Sequence, residues 1–115
     1  MNAPLPTAAL AGQLRNSARR ACALLKAMAH EDRLLLLCQL AQQESNVGEL
    51  RAATGIQQPS LSQHLGVLRD ERLVATRREG RYIRYRLASP EVLAVMQALY
   101  SSFCTPSAAS PREAR

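Results

Sequence analysis

The chain has 115 residues, with 15 Lys+Arg against 9 Asp+Glu, a net charge of +6 and a pI near 10.0. That length holds one domain and one modest core, and three cysteines are too few and too unevenly placed for a disulfide scaffold. The longest apolar run, Leu34 to Cys38, is far short of the roughly 20 residues of a membrane span. Lys26 is the only lysine, and an arginine excess favours a polyanionic partner because the planar guanidinium matches phosphate geometry. Aromatic content of 3% leaves little for stacking single-stranded bases. Met1-Asn2-Ala3-Pro4 lacks the basic region of a signal peptide, so a cytoplasmic protein with reduced thiols and no membrane contact is expected.

Residues 1–6 and 105–115, broken by prolines, read as tails around a domain spanning 7–104. From Thr7 to about Ala29, Leu10, Leu14, Ala18, Ala21, Leu25 and Met28 recur as one narrow helical stripe, with Arg15, Arg19 and Arg20 off it. A second helix is predicted from His30 to about Gln43. Leu34, Leu35, Leu36 and Leu37 point in every direction around it, so it should be central and buried on most sides. Asn46 can cap a short third helix, Val47 to Ala53, which Gly55 stops. The fourth helix starts near Gln58-Pro59, where proline suits the first helical position, and runs to about Arg69 with Leu61, Leu65 and Leu68 inward. Two strands follow, Leu73 to Arg77 and Tyr82 to Leu87, around the glycine-containing turn Arg78-Glu79-Gly80-Arg81. A last helix runs from Ser89 to about Cys104. The fold class is therefore mainly α with a β-hairpin wing, a winged helix-turn-helix.

Between Arg69 and Arg86 lie seven arginines against Asp70, Glu71 and Glu79, which is +4 of the net +6. Charge runs are usually solvated faces, but this one sits on a hairpin directly after a candidate recognition helix. Arg77, Arg78 and Arg81 are thus candidate phosphate contacts. On the fourth helix Gln63 lies nearly opposite the leucine stripe, with Ser60 and Ser62 on either side. Such neutral groups can hydrogen-bond base edges, and Gln suits adenine. His64 falls near the edge of the apolar stripe, where it either packs or reads a base. Two histidines on separate elements form no metal-binding or catalytic spacing, so neither a metal, a cofactor nor an enzyme activity is expected.

Ala29-His30-Glu31-Asp32-Arg33-Leu34, Val47-Gly48-Glu49-Leu50, Gln58-Pro59-Ser60-Leu61-Ser62-Gln63-His64-Leu65 and Gly80-Arg81-Tyr82-Ile83-Arg84-Tyr85 together resemble the ArsR/SmtB family. The resemblance covers about residues 15–104. It implies a homodimer formed by the first and last helices, with Leu10, Leu14, Ala18, Leu99 and Phe103 at the interface. It also implies double-stranded, pseudo-palindromic operator DNA as partner, with Gln58, Ser60, Ser62, Gln63 and less certainly His64 in the major groove, and Arg81 at the wing tip. The thiol-rich metal site of the family's third helix is missing, since Ser45 to Arg51 contains no cysteine. One cysteine in the second helix and one near the end of the last, Cys38 and Cys104, instead resemble the persulfide-responsive, BigR-like subgroup. That likeness implies a small persulfide inducer and a disulfide or polysulfide bridge between the two thiols. Other readings stay open. Cys22 could join Cys38 and Cys104 in holding arsenite, or all three could be inert in a constitutive DNA-binding protein.

Overall fold

Four consecutive leucines set the centre of the fold. In the computed structural model, which describes residues 11–104, they lie on helix α2, Glu31–Gln42. His30 caps this helix through its Nδ1, which accepts the Asp32 N–H at 3.1 Å, and Glu31 and Asp32 complement the positive helix end. Leu36 and Leu37 are fully buried, Leu40 nearly so and Leu34 partly. Leu35, however, is 42% exposed. Burial on most sides is thus met, and the one face left open is covered by no element among the described residues.

Helix α1, Ala11–Met28, meets α2 only at its end, where Ala27 and Met28 are buried and Leu24 packs against the core. The rest of its apolar stripe, including Leu14 and Leu25, stays exposed. The expected start at Thr7 and the residue Leu10 lie outside the described residues, as do both tails. Among the described residues no helix is long and apolar enough to cross a membrane.

Strand β1, Ser45–Asn46, leads into α3, Val47–Thr54. A capping box begins α3: Asn46 Oδ1 accepts the Glu49 N–H at 2.8 Å, and Glu49 Oε1 accepts the Asn46 N–H at 2.9 Å. Gly55 ends it in the left-handed region at φ 79°, where glycine carries no Cβ penalty. Helix α4, Ser60–Asp70, buries Leu61, Leu65 and Leu68 as the spacing predicts. Pro59 sits one position earlier than expected, at the N-cap, and the Gln58 side chain accepts the Ser62 N–H at 3.0 Å in place of a Ser or Asp cap.

The end of α4 is closed by two hydrogen bonds, Leu73 N–H to Leu68 O and Arg72 N–H to Arg69 O, each 2.9 Å. With Arg72 left-handed at φ 65° and Leu68 and Leu73 both buried, this is the pattern that usually selects glycine. The chain then enters β2, Val74–Glu79, and returns as β3, Tyr82–Leu87. All pairing is antiparallel in the order β1-β3-β2, with Glu79 opposite Tyr82. The turn is consequently two residues, Gly80 (φ 64°) and Arg81, and not four. Arg78 and Glu79 belong to the strand because their backbone groups keep partners along β3. Tyr85 and Leu87 lean on the core, while Ile83, on the same side but nearer the tip, extends past it and is exposed.

Ser89 caps α5, Pro90–Leu99, by accepting the Val92 N–H, and Val92 and Met96 are buried. The expected continuation to Cys104 changes character: Tyr100–Cys104 form a π-helical turn with no buried side chain. Removing atoms from the fully buried Leu36 leaves a cavity as well as losing burial. Leu36→Ala is expected to destabilise the protein by about 2–5 kcal/mol in urea unfolding. Asn46→Ala, which removes one half of the capping box, is expected to cost about 1 kcal/mol.

Candidate nucleic-acid interface and dithiol groove

Burial of the leucine stripe turns the opposite face of α4 outward. Gln58, Ser60, Ser62 and Gln63 are all exposed there, although Gln58 is partly committed to the Ser62 backbone. His64 differs from its neighbours. It is half-buried against α2, with its ring 4.4 Å from that of His30, its Nδ1 3.4 Å from Arg33 and its Nε2 3.8 Å from Asp32. Burial, the nearby His30 and the Arg33 charge lower its pKa, against the opposing pull of Asp32.

The wing arginines divide into two groups. Arg77 and Arg84 stand directly opposite each other in the β2–β3 ladder, an unfavourable pairing of like charges. Glu44, just before β1, resolves it. Its Oε1 accepts from Arg77 at 2.9 Å and lies 3.6 Å from Arg84, and Glu79 and Glu49 add further contacts to Arg84. The Arg77 hydrogen bond is the main reason the Glu44 carboxyl titrates below the usual carboxylate range. By contrast, Arg78 and Arg81 make no hydrogen bond or ion pair among the described residues, and both are exposed. This sorting of the wing escaped sequence reasoning, because Glu44 is 33 positions from Arg77 and the short strand β1 carries no local signal.

A second feature lies between α2 and α5. A groove of about 290 Å³ is lined by Cys38, Gln42, Leu93, Met96, Gln97 and Tyr100, among others. Cys38 is exposed in the single chain, not packed as a small core hydrophobe, yet its sulfur is partly desolvated by the groove wall. That desolvation, and secondarily the negative charge Cys104 would carry, raise the Cys38 pKa. Tyr100 and Ser101, at the start of the turn that ends in Cys104, line the same groove as Cys38. Cys104 and Cys22 are also exposed and free. Cys22 lines a different cavity, with Val67 of α4 and Glu71 just after that helix, and the three sulfurs form no group able to share one ion among the described residues.

Of the interface residues expected from the resemblance, Leu14 and Ala18 are exposed on α1 and Phe103 is 70% exposed after α5, while Leu99 is partly turned into the core. Leu25, Leu93 and Tyr100 are exposed as well, which leaves many large apolar side chains uncovered on so small a chain.

Residues 30–76 match the family described as "Bacterial regulatory protein, arsR family". The biofilm growth-associated repressor of Agrobacterium fabrum is 48% identical over 103 residues, covering 90% of this chain and 83% of that protein. The crystal structure of the transcriptional repressor BigR from Xylella fastidiosa superposes with a TM-score of 0.76 at 42% identity, covering 82% of this chain and 96% of that one. The homodimeric winged helix-turn-helix DNA-binding domain Mb0332 of Mycobacterium bovis aligns with a TM-score of 0.70 at 29% identity, over 84% and 89% of the two chains.

Because the Glu44 pKa is depressed on folding, its contribution to the wing is present above the ordinary glutamate range and is lost as pH falls through the lower folded value. Amide protection at Arg77 and Arg84, taken relative to the intrinsic exchange rate at each pH, is expected to fall across that acidic window, and Glu44→Gln is expected to lower it likewise at neutral pH.

Proposed function

Because the chain belongs to the ArsR family of bacterial regulatory proteins, DNA-binding and non-enzymatic, we propose that it is a homodimeric repressor whose operator affinity is set by the thiol state of Cys38 and Cys104. The observation that carries the sensing reading is the placement of Cys38 on a groove wall shared by α2 and α5, a groove also lined by Tyr100 and Ser101 of the turn that ends in Cys104. α2 seats the DNA-facing helix, and α5 supplies much of the uncovered apolar surface. A bridge between the two thiols would therefore tie the DNA-binding half to the dimer-forming half.

The exposed Cys104, at the end of the described residues, is the thiol that meets the inducer first in this reading, and Cys38, partly desolvated in its groove, closes the bridge. The Cys104 thiolate takes the sulfane sulfur of a persulfide, RSSH, giving Cys104–SSH and releasing RS⁻. The Cys38 thiolate then attacks the Cys104 sulfur, forming the disulfide and expelling HS⁻. If Cys38 is also persulfidated, its terminal sulfur makes the same attack and yields a trisulfide with loss of HS⁻. The sulfane sulfur is the oxidant in each case.

In the dimer, two outward faces bearing Gln58, Ser60, Ser62 and Gln63 would enter successive major grooves of a pseudo-palindromic operator, about 34–36 Å apart. Arg78 and Arg81 would meet phosphates at the wing, with Arg77 held to Glu44 as a positioning residue. The contacts of His64 with α2 favour its packing role over base reading. An arsenite site built from Cys22, Cys38 and Cys104 gains no support within one protomer, since Cys22 faces a separate cavity.

Persulfide treatment is expected to weaken operator binding about 5- to 150-fold in the wild type and not in Cys38→Ser, with Cys22→Ser behaving as wild type. Intact mass should show loss of two hydrogens or gain of sulfur on the bridged protein. Bridge closure should accelerate about tenfold per pH unit below the Cys38 pKa, as the thiolate fraction grows. Binding indifferent to every thiol treatment would instead establish a constitutive DNA-binding protein, and an arsenite response abolished by Cys22→Ser would establish the trithiolate sensor. In separate assays Gln63→Ala should cost about 1–3 kcal/mol on the operator and little on unrelated DNA, whereas Arg81→Ala should weaken both and lower the salt dependence by about one phosphate contact.

A further inference from the structure

The fold brings the chain's two histidines together, although they are 34 positions apart in sequence. His30 stands at the N-cap of α2 and His64 in the middle of α4, with ring centroids 4.4 Å apart and planes tilted by 55°. Asp32 joins them. One ligand atom from each of the three residues lies within 4.8 Å of the others, and His64 Nε2 is 3.8 Å from Asp32 Oδ2. We propose that His30, Asp32 and His64 bind a divalent first-row transition ion of the zinc, cobalt or nickel kind, fastening the start of α2 to the middle of α4.

The donor chemistry suits that class. Two imidazoles and a carboxylate are the set of zinc sites that keep one position for water, and the absence of a thiolate disfavours softer ions. Zinc–nitrogen bonds of about 2.0–2.1 Å put tetrahedral donors roughly 3.3 Å apart, so side-chain rotations of about an ångström would close the present spacing. His30 already accepts the Asp32 N–H with Nδ1, which aims its other nitrogen away from the backbone and leaves it to ligate. The cost comes from Arg33, whose guanidinium lies 3.4 Å from His64 Nδ1. Ligation through Nε2 moves the ring hydrogen to Nδ1, and Arg33 must release that long contact while keeping its 2.6 Å bond to Ala27 O.

The site is independent of the thiols, which permits a clean test. Full-length protein carrying Cys22→Ser, Cys38→Ser and Cys104→Ser is titrated with Co²⁺, read by its ligand-field absorption, and with Zn²⁺ by competition. One ion per chain at micromolar concentration is expected, weakened at least tenfold by Asp32→Asn and by His30→Asn. Asparagine is a good N-cap, so the second variant removes the imidazole while preserving the start of α2, which circular dichroism verifies. Failure of the folded triple variant to bind cobalt below millimolar concentration would overturn the site, and so would a change of less than tenfold in His30→Asn.

Discussion

The outward face of α4, proposed above to meet DNA, depends on the packing of α4 against α2. α4 has only 11 residues, too few to hold helical form in water without tertiary support. Its order comes from Leu61, Leu65 and Leu68, which share one buried cluster with Leu36, Leu37 and Leu40 of α2. Burying a leucine contributes about 1.5–3 kcal/mol, so this single seam outweighs the capping and ion-pair terms around it. The outward face of α4 can be entirely neutral and polar because the inward face alone keeps it in place.

The same α2 carries the thiol chemistry on its other side. Leu35 and Cys38 look out where Leu36 and Leu37 look in, so a covalent event at Cys38 acts on the element that seats α4 without entering the core. The uncovered face of α2 and the exposed stripe of α1 are two parts of one condition. Among the described residues nothing covers them, and a second copy would. The proposed sensing therefore belongs where intrachain and interchain packing meet, and there small displacements switch discrete arrangements.

Elements with strong local signals were legible in the sequence. The α4 stripe, the Asn46 cap and the Gly55 stop all follow from near-neighbour chemistry and appear in the structure as read. What sequence left hidden was set by contacts between distant positions. Glu44 clasps Arg77 and Arg84 across the sheet, and β1 exists only because β3 pairs with it. His30 meets His64 because two helices cross, which no spacing rule on a single helix can detect. Leu35 and Cys38 are exposed because a run of leucines says nothing about which side a short chain can cover. The carboxylate that orders the wing and the histidine pair are legible only in three dimensions.

Leu73 is hydrogen-bonded to Leu68 at the end of α4, and its carbonyl accepts the Ala88 N–H just before α5. The recognition helix, the base of the wing and the root of the last helix thus share one buried residue. α4 and the hairpin are therefore two tines of a fork with fixed spacing, not two arms that swing separately. A fork of this kind gauges the separation of neighbouring grooves as well as the bases within them. With α4 and the wing as the proposed DNA contacts, duplex width and stiffness at steps that no side chain touches would become part of what the protein recognises.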